Sequence, residues 1–342
     1  MTSPEPKISK GREWRNRLIL TSFSLLFALL LGEVLTRLLF PISDRRDNIT
    51  PDGKTITSFV APGTVYRQVS NEYDAVTTIT DQGYRAPAVD GSPELVFLGD
   101  SFTFGYGLND AETFPSLYCT EAARSCANLG LPGSGTLKQV ERLEQFIDES
   151  QWRPKEVRLF FFGMSTSFSA GNDFVDNYNR EITREARLRG VPAKADPSRG
   201  LTERVIGLQG TILRYSNLAR MLKFYAGPRL KATFVAEPGP QRMNKALEST
   251  RASLQRLDEL SRRAGFEYDI YLLVPAHDIL RDTYKDTLAT LQGVSPKQVI
   301  PTAELFLDSP AQYYYAFDGH LNPKGSKRIA DFLISRDKNK TN

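Results

Sequence analysis

From about Thr77 onward, short apolar runs alternate with amphipathic stretches, which predicts strand, loop and helix in repeated order. ELVFLG (Glu94–Gly99) is a short apolar run ending in glycine, which suits a buried parallel strand. NDAETFPSLYCTEAAR reads as a helix and ANLGLPG as a second strand. TLKQVERLEQFIDES carries apolar residues at 137, 140, 143, 146 and 147, the spacing of one helical face. VRLFFFG (Val157–Gly163) is a third strand. The pattern then breaks, and 174–240 is charged and amphipathic without clear strands, as in a helical insertion able to cover a cleft. MNKALESTRASLQRLDELSRRAG is a long helix stopping at Gly265, EYDIYLLVP a fourth strand and PKGSKRIADFLIS a last helix. Strands alternating with helices predict an α/β layer fold with a mostly parallel central sheet, whose ligands sit at the carboxyl ends of the strands.

The first forty residues follow another pattern. Lys7, Lys10, Arg12, Arg15 and Arg17 precede an uncharged run, Leu18 to Gly32, and apolar character continues to Phe40 before Pro41. Glu33 and Arg37 interrupt it four apart, where they can pair on one helical face. The twenty-odd residues from 18 to 40 suffice to cross roughly 30 Å of hydrocarbon. A cleavable signal peptide would need a small-x-small site, but GEVLTRLLF follows instead. The expectation is an uncleaved signal anchor: 1–17 cytoplasmic, 18–40 transmembrane, 41–76 a juxtamembrane linker and lead-in, and 77–342 a domain in the periplasm or cell exterior.

Composition narrows the chemistry. The chain has 342 residues, 40% hydrophobic and 25% charged, with a net charge of +4, two histidines and two cysteines. Such scarcity excludes metal centres built on several imidazoles or on cysteines alone, and no metal or organic cofactor is expected. Cys119 and Cys126 are too far apart to bridge along one continuous helix. Their sulfurs can meet if the helix ends between them; otherwise they are two buried thiols. The basic stretches 184–190 and 214–231 read as solvated helix faces, with anionic lipid or glycan binding as the functional alternative. Nothing points to nucleic acid.

Two motifs carry chemistry. GDSFTFGYG (Gly99–Gly107) places Ser101 at a strand-to-helix turn, where its hydroxyl is exposed and the backbone N–H groups of the turn lack partners. DGHLNPKG (Asp318–Gly325) puts one of the two histidines, His320, two residues after Asp318 and just before the last helix. Carboxylate, imidazole and hydroxyl together constitute the apparatus of acyl transfer, since a serine alkoxide is inaccessible near neutral pH without a base. His277, after the fourth strand, can approach the cleft rim but reads first as structural. Asp173 and Asp176 read as polar groups of a loop. Gly99, Gly105 and Gly107 lack the Gly-Lys-Ser/Thr of a phosphate cradle.

From Thr77 to Leu333 the chain resembles the SGNH, or GDSL-type, hydrolases, in a membrane-anchored bacterial branch. The resemblance rests on GDSFTFGYG, NLGLPGSGT and DGHLNPKG in that order, with TDQGYRAP (Thr80–Pro87) before them. It implies a three-layer, flavodoxin-like α/β fold and a serine esterase acting on acyl or acetyl esters of a glycan or lipid. Ser101 would be nucleophile, His320 base and Asp318 the orienting acid, with the N–H groups of Ser101 and Gly133 in the oxyanion hole. Relatives place an asparagine directly after the third strand, whereas here FFFGM follows and Asn172 comes about eight residues later. Either a short insertion loops out and Asn172 completes the hole, or the donor is lost, with Ser165 and Ser167 as stand-ins; losing such a donor costs about 10²–10³ in rate. Two further readings stay open. One is a polysaccharide O-acetyltransferase using the same triad alongside envelope polysaccharide machinery. The other is a non-catalytic glycan-assembly or binding protein with the same fold.

Overall fold

The computed structural model describes residues 10–39, 47–53, 56, 58–70, 72–164, 172–188, 216–219, 221–222 and 240–341. The chain divides into two compact units, Met1–Asp44 with Asp196–Val235, and Arg45–Ala195 with Ala236–Asn342.

In the first unit, helix α1 (Lys10–Leu39) contains a stretch, Trp14–Leu39, long and apolar enough to cross a membrane, although a signal sequence would pass the same test. Its leucines and phenylalanines from Leu18 to Leu39 are exposed. Glu33 accepts from Arg37 Nε at 2.6 Å, from the N–H groups of Asn217 and Leu218 at 2.9 and 3.1 Å, and from the Ser216 hydroxyl at 2.8 Å. Both oxygens of that carboxylate are therefore met by donors.

The second unit is an α/β fold around a five-stranded parallel sheet. Its strands are β4 (Leu95–Gly99), β5 (Cys126–Asn128), β6 (Glu156–Phe162), β7 (Glu267–Leu273) and β8 (Val299–Pro301), in the order β5-β4-β6-β7-β8. The chain leaves β4 toward β5 on one side and returns to β6 on the other, so β4 lies at the topological switch point of a flavodoxin-like order. Right-handed crossovers then put α3 (Phe114–Glu121) and α4 (Thr136–Glu149) on opposite faces. The packing agrees: the C-terminal helix Pro323–Thr341 covers α3, while the long helix Pro240–Ala264 covers α4 together with α5 (Asp173–Leu188).

Every residue of β4 is buried, and Phe97, Phe160 and Tyr271 stack across β4, β6 and β7 with centroids 6.2 and 4.7 Å apart. Each such ring removed from water contributes about 1.5–3 kcal/mol.

Most of a three-stranded antiparallel sheet lies within 41–76, the stretch expected to run as linker and lead-in. Its strands are β1 (Asp47–Ile49), β2 (Val65–Val69) and β3 (Asp74–Thr78), in that order. Its buried face includes polar Gln68 and Thr77 beside Tyr66 and Ala75, so no apolar run announces it. Of the expected insertion 174–240, the described part begins as α5; residues 189–215 and 223–239 lie outside the described residues, as do Ser165 and Ser167.

Candidate active site

Ser101 opens the short helix α2 (Ser101–Phe104), directly beyond the carboxyl end of β4. The Asp100 carboxylate caps that helix, accepting the Phe102 N–H at 2.9 Å. Glycine is required at 99 by crowding, because a Cβ there would lie 2.1 Å from Thr103 Oγ1 and 2.9 Å from the Phe160 carbonyl. Gly105, at φ 81°, ends the helix in the left-handed conformation. The turn is fixed from outside as well. Asn128 Nδ2 donates to the Thr103 carbonyl at 2.9 Å. The fully buried Arg85 guanidinium donates to the carbonyls of Phe104 and Gly105 at 2.7 and 2.6 Å, to that of Leu108, and to Asp110 at 3.1 Å.

The Ser101 hydroxyl lies 2.7 Å from His320 Nε2, and His320 Nδ1 meets the Asp318 carboxylate. Two motifs more than two hundred residues apart in sequence thus meet in one hydrogen-bonded chain at the switch point. The imidazole is flanked by the rings of Phe102 and Tyr106, centroids 4.7 and 5.1 Å away. Phe102 in turn stacks on Phe162 at 4.3 Å. The loop bearing Asp318 and His320 is short and braced: Tyr315 N–H donates to the His320 carbonyl at 2.8 Å, and Gly319 turns it at φ 85°.

Among the described residues, neither the N–H of Ser101 nor that of Gly133 has a hydrogen-bond partner. Gly133 is exposed, at φ 67°, with no atom within 4 Å of where a Cβ would stand. Asn172 immediately precedes α5. Its Oδ1 accepts the Phe174 N–H at 3.2 Å, and its Nδ2 donates to the Met164 carbonyl at 3.2 Å. Asn172 and Met164 therefore meet beyond the end of β6, although eight positions separate them.

Asp173 and Asp176 belong to the first turn of α5 rather than to a loop. Asp173 is fully buried and accepts the Thr136 hydroxyl at 3.0 Å; burial, with Asp100 and Asp176 nearby, raises its carboxyl well above the ordinary range. Burial likewise raises Asp100, to about 7, with Asp176 adding to the rise while the Phe102 N–H and His320 oppose it. His277 is the second residue of a short helix (Ala276–Leu280) after β7, 3.4 Å from buried Asp278, and burial lowers its basicity. It is not in hydrogen-bonding contact with Ser101, His320 or Asp318. Cys119, on α3, and Cys126, at the start of β5, are joined by a disulfide, the helix ending between them. Among the described residues, no group of three or more His, Cys, Asp or Glu side chains is placed to hold a metal ion.

Glu72 and Tyr73 were not singled out from the sequence. Tyr73 donates its hydroxyl to Asp318 Oδ2 at 3.0 Å, and Glu72 accepts the Asp318 N–H at 2.7 Å. No sequence signal links positions 72 and 73 to a loop some 245 residues later.

No family model and no curated protein matches the chain. Solved structures similar to it include a catalytic mutant of Axe2, an acetylxylan esterase from Geobacillus stearothermophilus (13% identity, 72% of this chain and 94% of that chain, TM-score 0.35). Others are AlinE4, an SGNH-hydrolase family esterase (17% identity, 74% and 97%, TM-score 0.28), and a carbohydrate esterase (11% identity, 82% and 85%, TM-score 0.37).

Proposed function

We propose that the chain is a serine ester hydrolase. The observation that carries this reading is the hydrogen-bonded chain from Ser101 Oγ through His320 to Asp318 at the carboxyl end of β4. In this reading His320 Nε2 takes the proton as Ser101 Oγ attacks an ester carbonyl, and Asp318 orients and stabilises the imidazolium. The resulting oxyanion is received by the N–H groups of Ser101 and Gly133, both without partners among the described residues, and by the side-chain amide of Asn172. The tetrahedral intermediate collapses as the protonated imidazole passes its proton to the departing alcohol. Water then attacks the acyl-serine by the same steps in reverse order.

The substrate in this reading is an acyl or acetyl ester of a glycan or lipid outside the cytoplasm, with α1 holding the enzyme at the bilayer. The basic residues before Leu18 favour a cytoplasmic N-terminus, and the Cys119–Cys126 disulfide suits an oxidising compartment.

The test is turnover of p-nitrophenyl acetate by the full chain in detergent, with and without added oligosaccharide. Ser101→Ala and His320→Ala each lower kcat by about 10⁴ or more if the triad is catalytic. Nitrophenol release equal in wild type and Ser101→Ala would sink the hydrolase reading, and acetylated oligosaccharide among the products would make the sugar the acceptor.

A further inference from the structure

We infer that Tyr73 and Glu72, in the turn between β2 and β3, are positioning residues for the triad acid; this rests on the hydrolase reading above. The turn is hydrogen-bonded within itself. Ser70 N–H donates to the Tyr73 carbonyl at 2.9 Å, and the Ser70 hydroxyl accepts the N–H groups of Glu72 and Tyr73 at 3.0 and 3.3 Å. From that frame the two side chains reach Asp318 from different sides. The Tyr73 hydroxyl donates to Oδ2, the oxygen facing away from His320, at 3.0 Å. The Glu72 carboxylate takes the backbone N–H groups of Phe317 at 3.0 Å and of Asp318 at 2.7 Å. One contact fixes the rotation of the carboxylate and the other fixes the backbone that carries it.

The same hairpin is bolted to the other half of the site. Gln68 accepts the Gly107 N–H, Asn109 accepts the Val76 N–H at 2.9 Å, and Asp110 accepts the Thr78 N–H at 3.1 Å. Tyr73 lies in ring contact with Tyr106 and Tyr315, centroids 6.2 and 4.9 Å away, and Tyr106 flanks the His320 imidazole. A Cβ on Gly107 would come within 2.9 Å of the Tyr73 ring, so glycine there admits the tyrosine. The hairpin therefore sets the distance between the segment following the nucleophile and the segment bearing acid and base.

The electrostatic consequence has a definite sign. A hydroxyl donating to Oδ2 draws negative charge away from Oδ1, the oxygen that faces His320 Nδ1. Without it, Oδ1 carries more charge and favours the imidazolium, so the base stays protonated to higher pH.

The experiment compares the full chain in detergent with Tyr73→Phe, which keeps the ring and removes only the hydroxyl, and with Glu72→Ala and Glu72→Gln. For Tyr73→Phe the expected result is a roughly tenfold lower kcat on p-nitrophenyl acetate with KM within about twofold, the scale of one charge-assisted hydrogen bond. The acid limb of its kcat/KM profile moves to higher pH, and the Nδ1–H proton resonance of His320, assigned by its loss in His320→Gln, moves downfield. Glu72→Gln, which retains an acceptor oxygen, recovers part of the kcat that Glu72→Ala loses. Wild-type kcat, acid limb and His320 resonance in Tyr73→Phe would overturn the inference. If wild type shows no Ser101-dependent turnover, the hydrolase reading fails, and the His320 resonance alone then decides whether Tyr73 acts on Asp318.

Discussion

Gly130 and Phe104 meet backbone to backbone: a Cβ on Gly130 would stand 2.3 Å from the Phe104 nitrogen and 2.6 Å from its Cα. The loop after β5 is thus pressed directly against the helix that presents Ser101. Two rigid backbones cannot separate as a flexible side chain can. Gly130→Ala is expected to displace α2, lowering kcat far more than KM and costing about 1–3 kcal/mol of stability as an overpacked core does. Urea melts and p-nitrophenyl acetate kinetics on the same preparation check both.

Arg85 is expected to be among the costliest residues to replace. Its guanidinium serves three carbonyls and a carboxylate in full burial, a set that one ammonium cannot span. Arg85→Lys should lower stability by about 3 kcal/mol or more, because buried acceptors lose their donors. A urea midpoint within error of wild type would contradict this.

Asp100 gives a pH dependence whose sign follows from its raised carboxyl. The group titrates near 3.8 unfolded and at about 7 folded, so between these values the folded protein holds the extra proton. Stability from this group is therefore full below about pH 4 and is lost as pH rises toward 7. Asp173, also raised by burial, acts in the same direction. Asp100→Asn retains an acceptor for the Phe102 N–H and removes the titration. Its stability relative to wild type should climb from pH 5 to pH 7.5, read from urea midpoints at each pH.

The Cys119–Cys126 disulfide closes a loop of sequence separation 7 between α3 and β5. Loop entropy sets its contribution at about 2.5 kcal/mol. Reduction, or the Cys119→Ala/Cys126→Ala pair, should lower the urea midpoint accordingly and leave KM unmoved, since the bridge lies on α3 and β5 away from Ser101. A midpoint unchanged by reduction would count against it.

What the residues disclosed follows from where each element is buried. β4, β6 and β7 are covered on both faces, so their sequences are apolar runs that single-chain reading picks out. β8 is three residues long, too short to carry a pattern. β2 and β3 expose Arg67 and Asp74, which pair with each other, and bury Gln68 and Thr77, so polar residues occupy both faces. The nucleophile, base and acid candidates were legible because each sits in a compact local motif. Asn172 was legible as a residue but not as a neighbour of Met164, since only the fold brings the two together. Glu72 and Tyr73 lay beyond reach because their roles consist wholly of contacts to a distant loop.

That distance has a consequence for the order of events in time. The contacts around Asp318 join residues 72–73 to residues 317–318, among the largest sequence separations in the unit. Contacts of long separation form only after much chain entropy has been spent, so they belong to the late phase of folding. A growing chain can lay down β4, α3 and β5 around the disulfide long before Asp318 emerges. If Ser101, His320 and Asp318 act as proposed, loosening of the hairpin 65–78 or of the segment 317–320 would stop turnover while the central sheet still stands.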